Sequence, residues 1–337
     1  MKFATLALSV FFALTTASLS HAAELNIYTT REAALIEPLL AAYTKASSTK
    51  INIVFMKDGL AERIAAEGDS SPADILMAVD AGNLIDLVDK GLTQPVDSAA
   101  LKSAIPAPLR GANDQWFGLS WRARVVYAAT DLAVDSLTYE ELADPKWQGQ
   151  ICIRAGQHPY NTALIAAHIA HHDTATTEKW LTGLKANLAR KPGGGDRDVA
   201  KDILGGICKL GIANSYYVGL MRSGKGGPEQ TAWGEGIKVI LPTFSGGGTH
   251  VNISGAAVAK AAPNRDEAIK FLEFLVTDEA QKLYAEANFE YPVKAGVPLN
   301  SIIASFGPLQ IDTLALADIV KNRKTASQLV DQTGFDN

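Results

Sequence analysis

The chain has 337 residues, of which 47% are apolar, and its 31 Lys and Arg against 36 Asp and Glu give a formal net charge of −5. This length favours about two domains, and the ordinary composition excludes a disordered, collagen-like or coiled-coil protein. The mildly acidic balance argues against a nucleic-acid-binding protein.

The N-terminus has the layout of a secretory signal. Lys2 precedes an apolar run from Phe3 to Leu14, and small residues follow as far as Ala22 and Ala23. The run of about a dozen residues is too short to span a bilayer, which needs roughly 20, and the small residues fit a cleavage site. We therefore predict that residues 1–22 are a signal peptide, removed on export.

The first hundred residues of the mature chain alternate between strand and helix patterns. Apolar residues at 35, 36, 39, 40 and 43 mark one face of a helix. The predicted elements are strands at Glu24–Tyr28, Ile51–Phe55 and Ala73–Val79, and helices at Arg31–Lys45, Leu60–Glu67 and Asn83–Lys90. This alternation predicts right-handed βαβ units and a parallel sheet.

A second α/β lobe is predicted over residues 120–242. Its elements are strands at 116–120, 124–129, 150–154, 209–214 and 236–241, and helices near 160–171, 176–189 and from 216. After a glycine run at 246–248 the pattern predicts a strand at 256–260, helices at 265–276 and 278–287, and two more after Pro308 and Ala326. Two α/β lobes in one exported chain suggest a small-ligand cleft between them.

Three tyrosines are the candidate ligand set. Tyr216 and Tyr217 lie where a predicted strand turns into a helix, so both rings can face one point, and Tyr160 begins another helix. Phenols have a pKa near 10, so only a strong Lewis acid such as ferric iron would deprotonate three of them at neutral pH. The alternative is that these tyrosines line an interface or complete a core.

Charged residues near these tyrosines are candidates for supporting roles. Arg122 could clamp a planar anion through its fork of donors, or form an ordinary salt bridge. Glu32, at the carboxyl end of the first strand, lies where ligands of open α/β sheets bind; the alternative is that it only stabilises a helix N-terminus. His168 and His172, four residues apart, could share a metal-binding face, but beside His171 and Asp173 we interpret them as a polar helix end.

The two cysteines, Cys152 and Cys208, meet an oxidising compartment after export. One bridge between them would stabilise the fold by about 4 kcal/mol; a pair of unrelated buried thiols is the alternative. Nucleotide-binding glycine loops and the G-x-S-x-G and H-E-x-x-H motifs are not found in the sequence. No nucleophile, base and orienting residue can be identified together, so we do not predict an enzyme.

The sequence resembles the periplasmic ferric-ion-binding proteins that deliver iron to ABC transporters, from Glu24 to about Gly296. The stretches that carry the resemblance are 26–31, 72–76, 79–84, 120–124, 159–161, 213–217, 250–255, 263–265 and 290–293. The resemblance implies a type II periplasmic-binding-protein fold: two α/β lobes, a hinge of two crossing strands and a ligand cleft between the lobes. The first lobe would comprise 23–119 plus 243–337, and the second 120–242.

The resemblance also implies a ligand set. Tyr216 and Tyr217 match the iron-binding tyrosine pair, Tyr160 matches the third tyrosine of one subgroup, and Arg122 matches an arginine that holds a synergistic anion such as carbonate. Many members carry a histidine, sometimes followed by a tyrosine, at the positions held here by Glu32 and Ala33. Glu32 therefore either ligates as a carboxylate, or the first lobe contributes no ligand.

The leading hypothesis is a monomeric periplasmic Fe(III)-binding protein whose partner is an inner-membrane ABC permease. A second hypothesis is a binding protein for a small organic or anionic solute, held by Arg31, Arg122 and the aromatic residues. A third is a secreted metal-dependent enzyme, which would need a positioned general base that the sequence does not show.

Overall fold

The computed structural model describes residues 23–337, so the predicted signal peptide lies outside the described residues. The strands are β1 Glu24–Thr29, β2 Lys50–Phe55, β3 Ile75–Ala78, β4 Thr93–Gln94, β5 Phe117–Ala129, β6 Ile151–Cys152, β7 Leu210–Asn214, β8 Ile237–Ile240, β9 Val251–Ala259 and β10 Tyr291–Pro292. Helices occupy the segments between them, and short 3-10 turns include Glu140–Ala143.

The helices agree closely with the sequence patterns over most of the chain. They are α1 Ala33–Ser47, α2 Leu60–Glu67, α3 Ala81–Asp89, α4 Ala99–Ala104, α5 Pro159–His171, α6 Thr174–Ala186, α7 Asp196–Leu204, α8 Tyr216–Arg222, α9 Pro228–Glu235, α10 Arg265–Leu275, α11 Asp278–Asn288, α12 Ser301–Ala304, α13 Leu316–Val320 and α14 Arg323–Gln332. None of the helices within residues 23–337 has both the length and the apolar character needed to cross a membrane.

The first half of the fold is built on a mixed sheet. Strands β2, β1 and β3 run parallel, as predicted. Strand β9 then pairs antiparallel with both β3 and β5, so a late segment of the chain completes the early sheet. The two ends of the chain therefore contribute to one α/β layer, as a type II periplasmic-binding fold requires.

Strand β5 passes from one half of the molecule to the other. Its first residues pair with β9 and β10, and its last residues pair with β7 and β8. The sequence predicted two separate strands here, which is wrong, because Trp121 to Ala123 continue the pairing with β9. The returning segment runs alongside, where the Arg124 N–H donates to the carbonyl of His250 at 2.9 Å. These two crossings form the hinge.

The last helix lies against the second half of the molecule. Helix α14 packs against α5 and α6, and α13 contacts both α5 and α3. The backbone N–H of Gly156 also donates to Asp336 at 2.6 Å. We therefore propose a division in which the chain from Leu316 onward completes the second lobe rather than the first.

A disulfide joins Cys152 in β6 to Cys208 just before β7, with the two Cα atoms 5.9 Å apart. This confirms the predicted bridge. Because β6 and β7 are adjacent parallel strands, the disulfide ties the last residue of β6 to the segment that enters β7.

Candidate metal centre

The tyrosine pair lies at a strand-to-helix junction. Strand β7 ends at Asn214 and helix α8 begins at Tyr216, so neighbouring side chains are not forced apart as they would be within a strand. The rings of Tyr216 and Tyr217 lie with centroids 4.0 Å apart and planes inclined by 32°. Tyr216 is buried and Tyr217 is half-buried, so the pair presents a partly enclosed phenol surface.

Tyr160 joins this pair from another element. It is the second residue of α5, and its hydroxyl oxygen lies 3.4 Å from that of Tyr216. The imidazole of His158 caps the same helix by accepting from the Tyr160 N–H at 3.2 Å, and it packs edge-on against the Tyr160 ring. Two helix N-termini of the second lobe therefore bring the three phenols together.

Arginines surround the phenols. The guanidinium carbons of Arg122 and Arg154 lie 5.1 and 5.2 Å from the Tyr160 ring centroid, and that of Arg124 lies at 6.0 Å. Asp196 is the shared counter-ion of Arg124 and Arg154, at 2.6 Å from the first and 3.3 Å from the second. Three cations around the Tyr160 ring favour negative charge on a phenol or a bound anion.

Arg122 has donor capacity left over. Its side chain is 1% exposed; Nη2 donates to the carbonyl of Val79, and Nη1 lies 3.4 Å from the Ser254 hydroxyl. Within residues 23–337 its Nε has no hydrogen-bond partner. Burial opposes the charge of Arg122, but negative charge on Tyr160, and then on Glu290, outweighs it and raises the pKa of the guanidinium. The group is cationic whenever a phenolate is present.

The phenols of the pair resist ionisation without a cation. Burial, reinforced by negative charge on Tyr160, raises the pKa of Tyr217 to about 12. The same two causes raise the pKa of Tyr216 well above its ordinary value. Both phenols are therefore protonated at neutral pH until a ligand stabilises the phenolates.

A cleft of about 490 Å³ separates these residues from the first lobe. Tyr160, Tyr217 and Arg154 line it on one side, and Glu32 and Asp80 on the other. Glu32 is exposed at the start of α1 and its side chain makes no capping hydrogen bond. The carboxylate of Glu32 therefore faces the same space as two of the tyrosines and is not committed to the helix.

Arg31 occupies a different position from Arg122. Its Nη1 lies 2.8 Å from Glu290 and 2.6 Å from the Ser254 hydroxyl, and its side chain is 6% exposed. Glu290 in turn accepts from Ser120. Arg31 is thus part of a buried polar network at the hinge, and neither Arg31 nor Arg122 lines the cleft of about 490 Å³, so the proposed contact of Arg31 with an anion stays a prediction.

Sequence reasoning did not single out Arg154. It follows strand β6 after one residue, and the carboxyl end of a strand in an α/β sheet is where ligands bind. The position of Arg154 just after a predicted strand could therefore have identified it as a candidate site residue. The role of Asp196, which holds Arg124 and Arg154 together, depends on the packing of α7 on β7 and has no local pattern.

His168 lies in the polar last turn of α5, as interpreted from the sequence, but its side chain is buried. His168 is 1% exposed, and its ring stacks on Trp180 with centroids 4.4 Å apart. Helices α6, α13 and α14 all contact α5, and His168 is buried although Ala170 and His171 beside it are only half-buried.

The sequence and the structure of this chain are similar to those of known bacterial binding proteins. Residues 26–282 match the bacterial extracellular solute-binding protein family. A Bordetella ferric binding protein is 62% identical with a TM-score of 0.89, covering 93% of this chain and 100% of that one. A Trichodesmium protein solved in complex with iron and citrate is 41% identical with a TM-score of 0.88, over 93% of this chain and 99% of that one. The iron uptake protein A1 of Synechocystis sp. is 40% identical over 93% of this chain and 87% of its own length.

Proposed function

The chain belongs to the bacterial extracellular solute-binding protein family, and we propose that it is a periplasmic protein that binds ferric iron for delivery to an ABC permease. The relatives are named as ferric-binding and iron uptake proteins, which supports iron as the cargo. A cleft between two hinged α/β lobes is suited to capturing a small ligand from the periplasm.

The gathering of three phenols carries this proposal. The 3.4 Å separation of the Tyr160 and Tyr216 hydroxyls, with the Tyr217 ring packed against that of Tyr216, supports a shared set of hard oxygen donors. A divalent hard cation would prefer carboxylates and carbonyls. Because the phenols of the pair are protonated at neutral pH, the cargo must be acidic enough to displace their protons, as Fe(III) is.

An anion would complete the coordination. Three phenolates and one carbonate dianion exceed the charge of Fe(III) by about two units, and a buried guanidinium beside them offsets part of that excess. Arg122 is suited to this role because it is buried beside Tyr160 and keeps an unused Nε donor within the described residues. We propose carbonate or bicarbonate, held by Arg122, as the synergistic anion.

Glu32 would supply the first-lobe contact. It lines the cleft opposite Tyr160 and Tyr217, so closing the lobes about β5 and the returning segment at His250 would move its carboxylate toward the metal. Recognition by the permease would then depend on the closed shape of a monomer. The proposed binding and delivery of iron need no catalytic residue.

The decisive experiment is a titration of the mature protein with ferric citrate, followed by visible absorption. Wild type is expected to develop a phenolate-to-iron charge-transfer band, and Tyr217→Phe to lose most of it. Tyr291→Phe is the matched control, because Tyr291 is buried, stacks on Trp121 and has no partner for its hydroxyl within residues 23–337.

A colourless wild type, or full colour in Tyr217→Phe, would contradict the proposal. The organic or anionic solute is the rival function. Calorimetry with a panel of such solutes, with and without a chelator, separates the two, because only iron binding is abolished by the chelator.

A further inference from the structure

A second cluster of metal-ligand side chains lies at the other end of helix α5. One candidate ligand atom from each of Glu140, His168 and His172 lies within 4.8 Å of the other two. His168 and His172 are one helical turn apart on α5 and its C-cap, and Glu140 comes from the 3-10 turn Glu140–Ala143. We propose that these three residues form a site for a divalent transition metal, with Zn²⁺ as the ion that suits its donors.

The hydrogen bonds of His168 fix which nitrogen is free. The hydroxyl of Thr177 donates to the carbonyl of Asp173 at 2.7 Å. The hydroxyl oxygen of Thr177 therefore accepts a hydrogen bond of 2.8 Å from Nδ1 of His168, so this ring nitrogen must carry the proton. Nε2 of His168 is then unprotonated and carries a lone pair. This nitrogen is buried without a hydrogen-bond partner among residues 23–337.

This arrangement is the one that a metal-binding histidine needs. Such a ligand typically donates its other ring N–H to a fixed acceptor, which sets the tautomer and the ring orientation. Here Thr177 provides the acceptor, and Trp180 stacks on the imidazole at 4.4 Å. A buried, unsatisfied lone pair costs free energy, and coordination of a cation would remove that cost.

Glu140 and His172 complete the donor set at the partly exposed rim. Nε2 of His172 lies 2.7 Å from Oε1 of Glu140, and both side chains are 24% exposed. The second oxygen of Glu140 is buried with no partner in the described part of the chain. On binding, His172 would release its Nε2 proton or shift it to Nδ1, and its hydrogen bond to Glu140 would be replaced by the metal.

Two imidazoles and one carboxylate point to a particular class of ion. This donor set suits Zn²⁺ and other borderline divalent metals, with a fourth position left for water. It contains no phenol, so it is distinct in chemistry from the tyrosine centre. His168 is eight residues beyond Tyr160, which places the two centres roughly 12 Å apart along the axis of α5.

The site would tie together segments that lead into the hinge. Oε1 of Glu140 also accepts from the backbone N–H of Ser245 at 3.1 Å, and Ser245 belongs to the segment that returns to strand β9. A metal bound to Glu140 would therefore connect the C-terminal end of α5 with one of the two crossing connections. Its expected effect is to stabilise the second lobe and that crossing.

The test is equilibrium dialysis of the chelator-treated mature protein against Zn²⁺, with thermal unfolding as a second measurement. Wild type is expected to bind one Zn²⁺ per chain at this site and to unfold at a higher temperature with it. Thr177→Val, which changes only the partner of a ligand, is expected to weaken binding about 10- to 100-fold. His172→Gln and Glu140→Gln, at the rim, are expected to weaken it at least as much.

Two variants separate this site from its alternatives. His171→Gln is the matched control, because His171 is adjacent but bonds to Asp312 at 2.8 Å and lies outside the cluster; it is expected to bind Zn²⁺ as wild type does. Tyr217→Phe is expected to retain Zn²⁺ as well. Unchanged binding in both His172→Gln and Glu140→Gln, or loss of Zn²⁺ in Tyr217→Phe, would overturn the proposal.

Discussion

The hydroxyl oxygen of Tyr160 lies 3.4 Å from that of Tyr216, although 56 residues separate them in the chain. Two phenolates at this distance repel each other, which is one reason that the pKa of Tyr216 is raised beyond the effect of burial. Tyr216 therefore stays protonated until a cation arrives. This relationship couples metal capture to proton release.

Iron affinity is accordingly expected to rise with pH. Tyr216 and Tyr217 are both protonated at neutral pH, so coordination by both releases at least two protons. Each proton released raises the logarithm of the apparent affinity by about one unit per pH unit. Competition against a chelator of calibrated pH dependence, at several values from about pH 6 to 8, measures the slope. A slope of zero would contradict coordination by these phenols.

Arg122→Lys is expected to weaken iron binding while keeping the positive charge. The ammonium lacks the planar fork that holds a carbonate, and a hydrogen bond to a charged group is worth about 1.5–3 kcal/mol. The affinity should therefore fall about 10- to 150-fold in bicarbonate buffer. The measurement is the same chelator competition, with and without bicarbonate.

The control for this variant is Arg110→Lys, which changes an arginine paired with Asp114 at 2.7 Å, outside the cleft. It should behave as wild type does. If Arg122→Lys retained the full dependence on bicarbonate, the anion would have to be held by other residues.

Much of the fold follows from local patterns in the sequence. Helix α2 was predicted at its observed bounds, because a short amphipathic run is flanked by glycines on both sides. Helix α9 was missed: its apolar and polar residues do not segregate to separate faces, although Pro228 at its first turn is a start signal. Strand β5 was divided in the prediction because polar residues at 120 and 122 interrupt its apolar run.

The candidate site was predictable only in part. The strand-to-helix junction at Tyr216 could be recognised in the sequence, Tyr160 and Arg122 were candidates from residue type and position, and the resemblance supported all three. The charge environment was not predictable, because the Arg154 guanidinium comes within 5.2 Å of the Tyr160 ring centroid only in the folded protein, and Asp196 joins Arg124 only after α7 docks on β7. Contacts of this kind arise from tertiary packing and leave no spacing in the sequence.

Removing the disulfide with Cys152→Ala and Cys208→Ala together is expected to lower the free energy of unfolding by about 4 kcal/mol, because the unfolded chain loses a long closed loop. Urea unfolding of the oxidised wild type and the double variant measures the difference. Adding a reductant should destabilise the wild type and leave the double variant unchanged. Equal stability of the two oxidised proteins would show that the bridge does not constrain the unfolded chain.

The stability of the protein is expected to fall as the pH drops below about 6.5, the ordinary value for histidine. His250 is 2% exposed beside the hinge, and burial, with the charges of Arg124 and Arg122, lowers its pKa to about 3. Between these two values the unfolded chain binds a proton at His250 that the folded chain does not. The free energy of unfolding therefore decreases by about 1.4 kcal/mol per pH unit from this group as the pH falls through the window.

Urea unfolding at several pH values between about 5 and 7 measures this slope. His250→Asn removes the titrating group, so the slope should become shallower by the contribution of one histidine, whatever happens to the absolute stability. Part of the slope should remain, since burial also lowers the pKa of His158 and of His168 to about 4. An identical slope in wild type and His250→Asn would mean that His250 takes up its proton in the folded protein, and that the hinge opens to water around it.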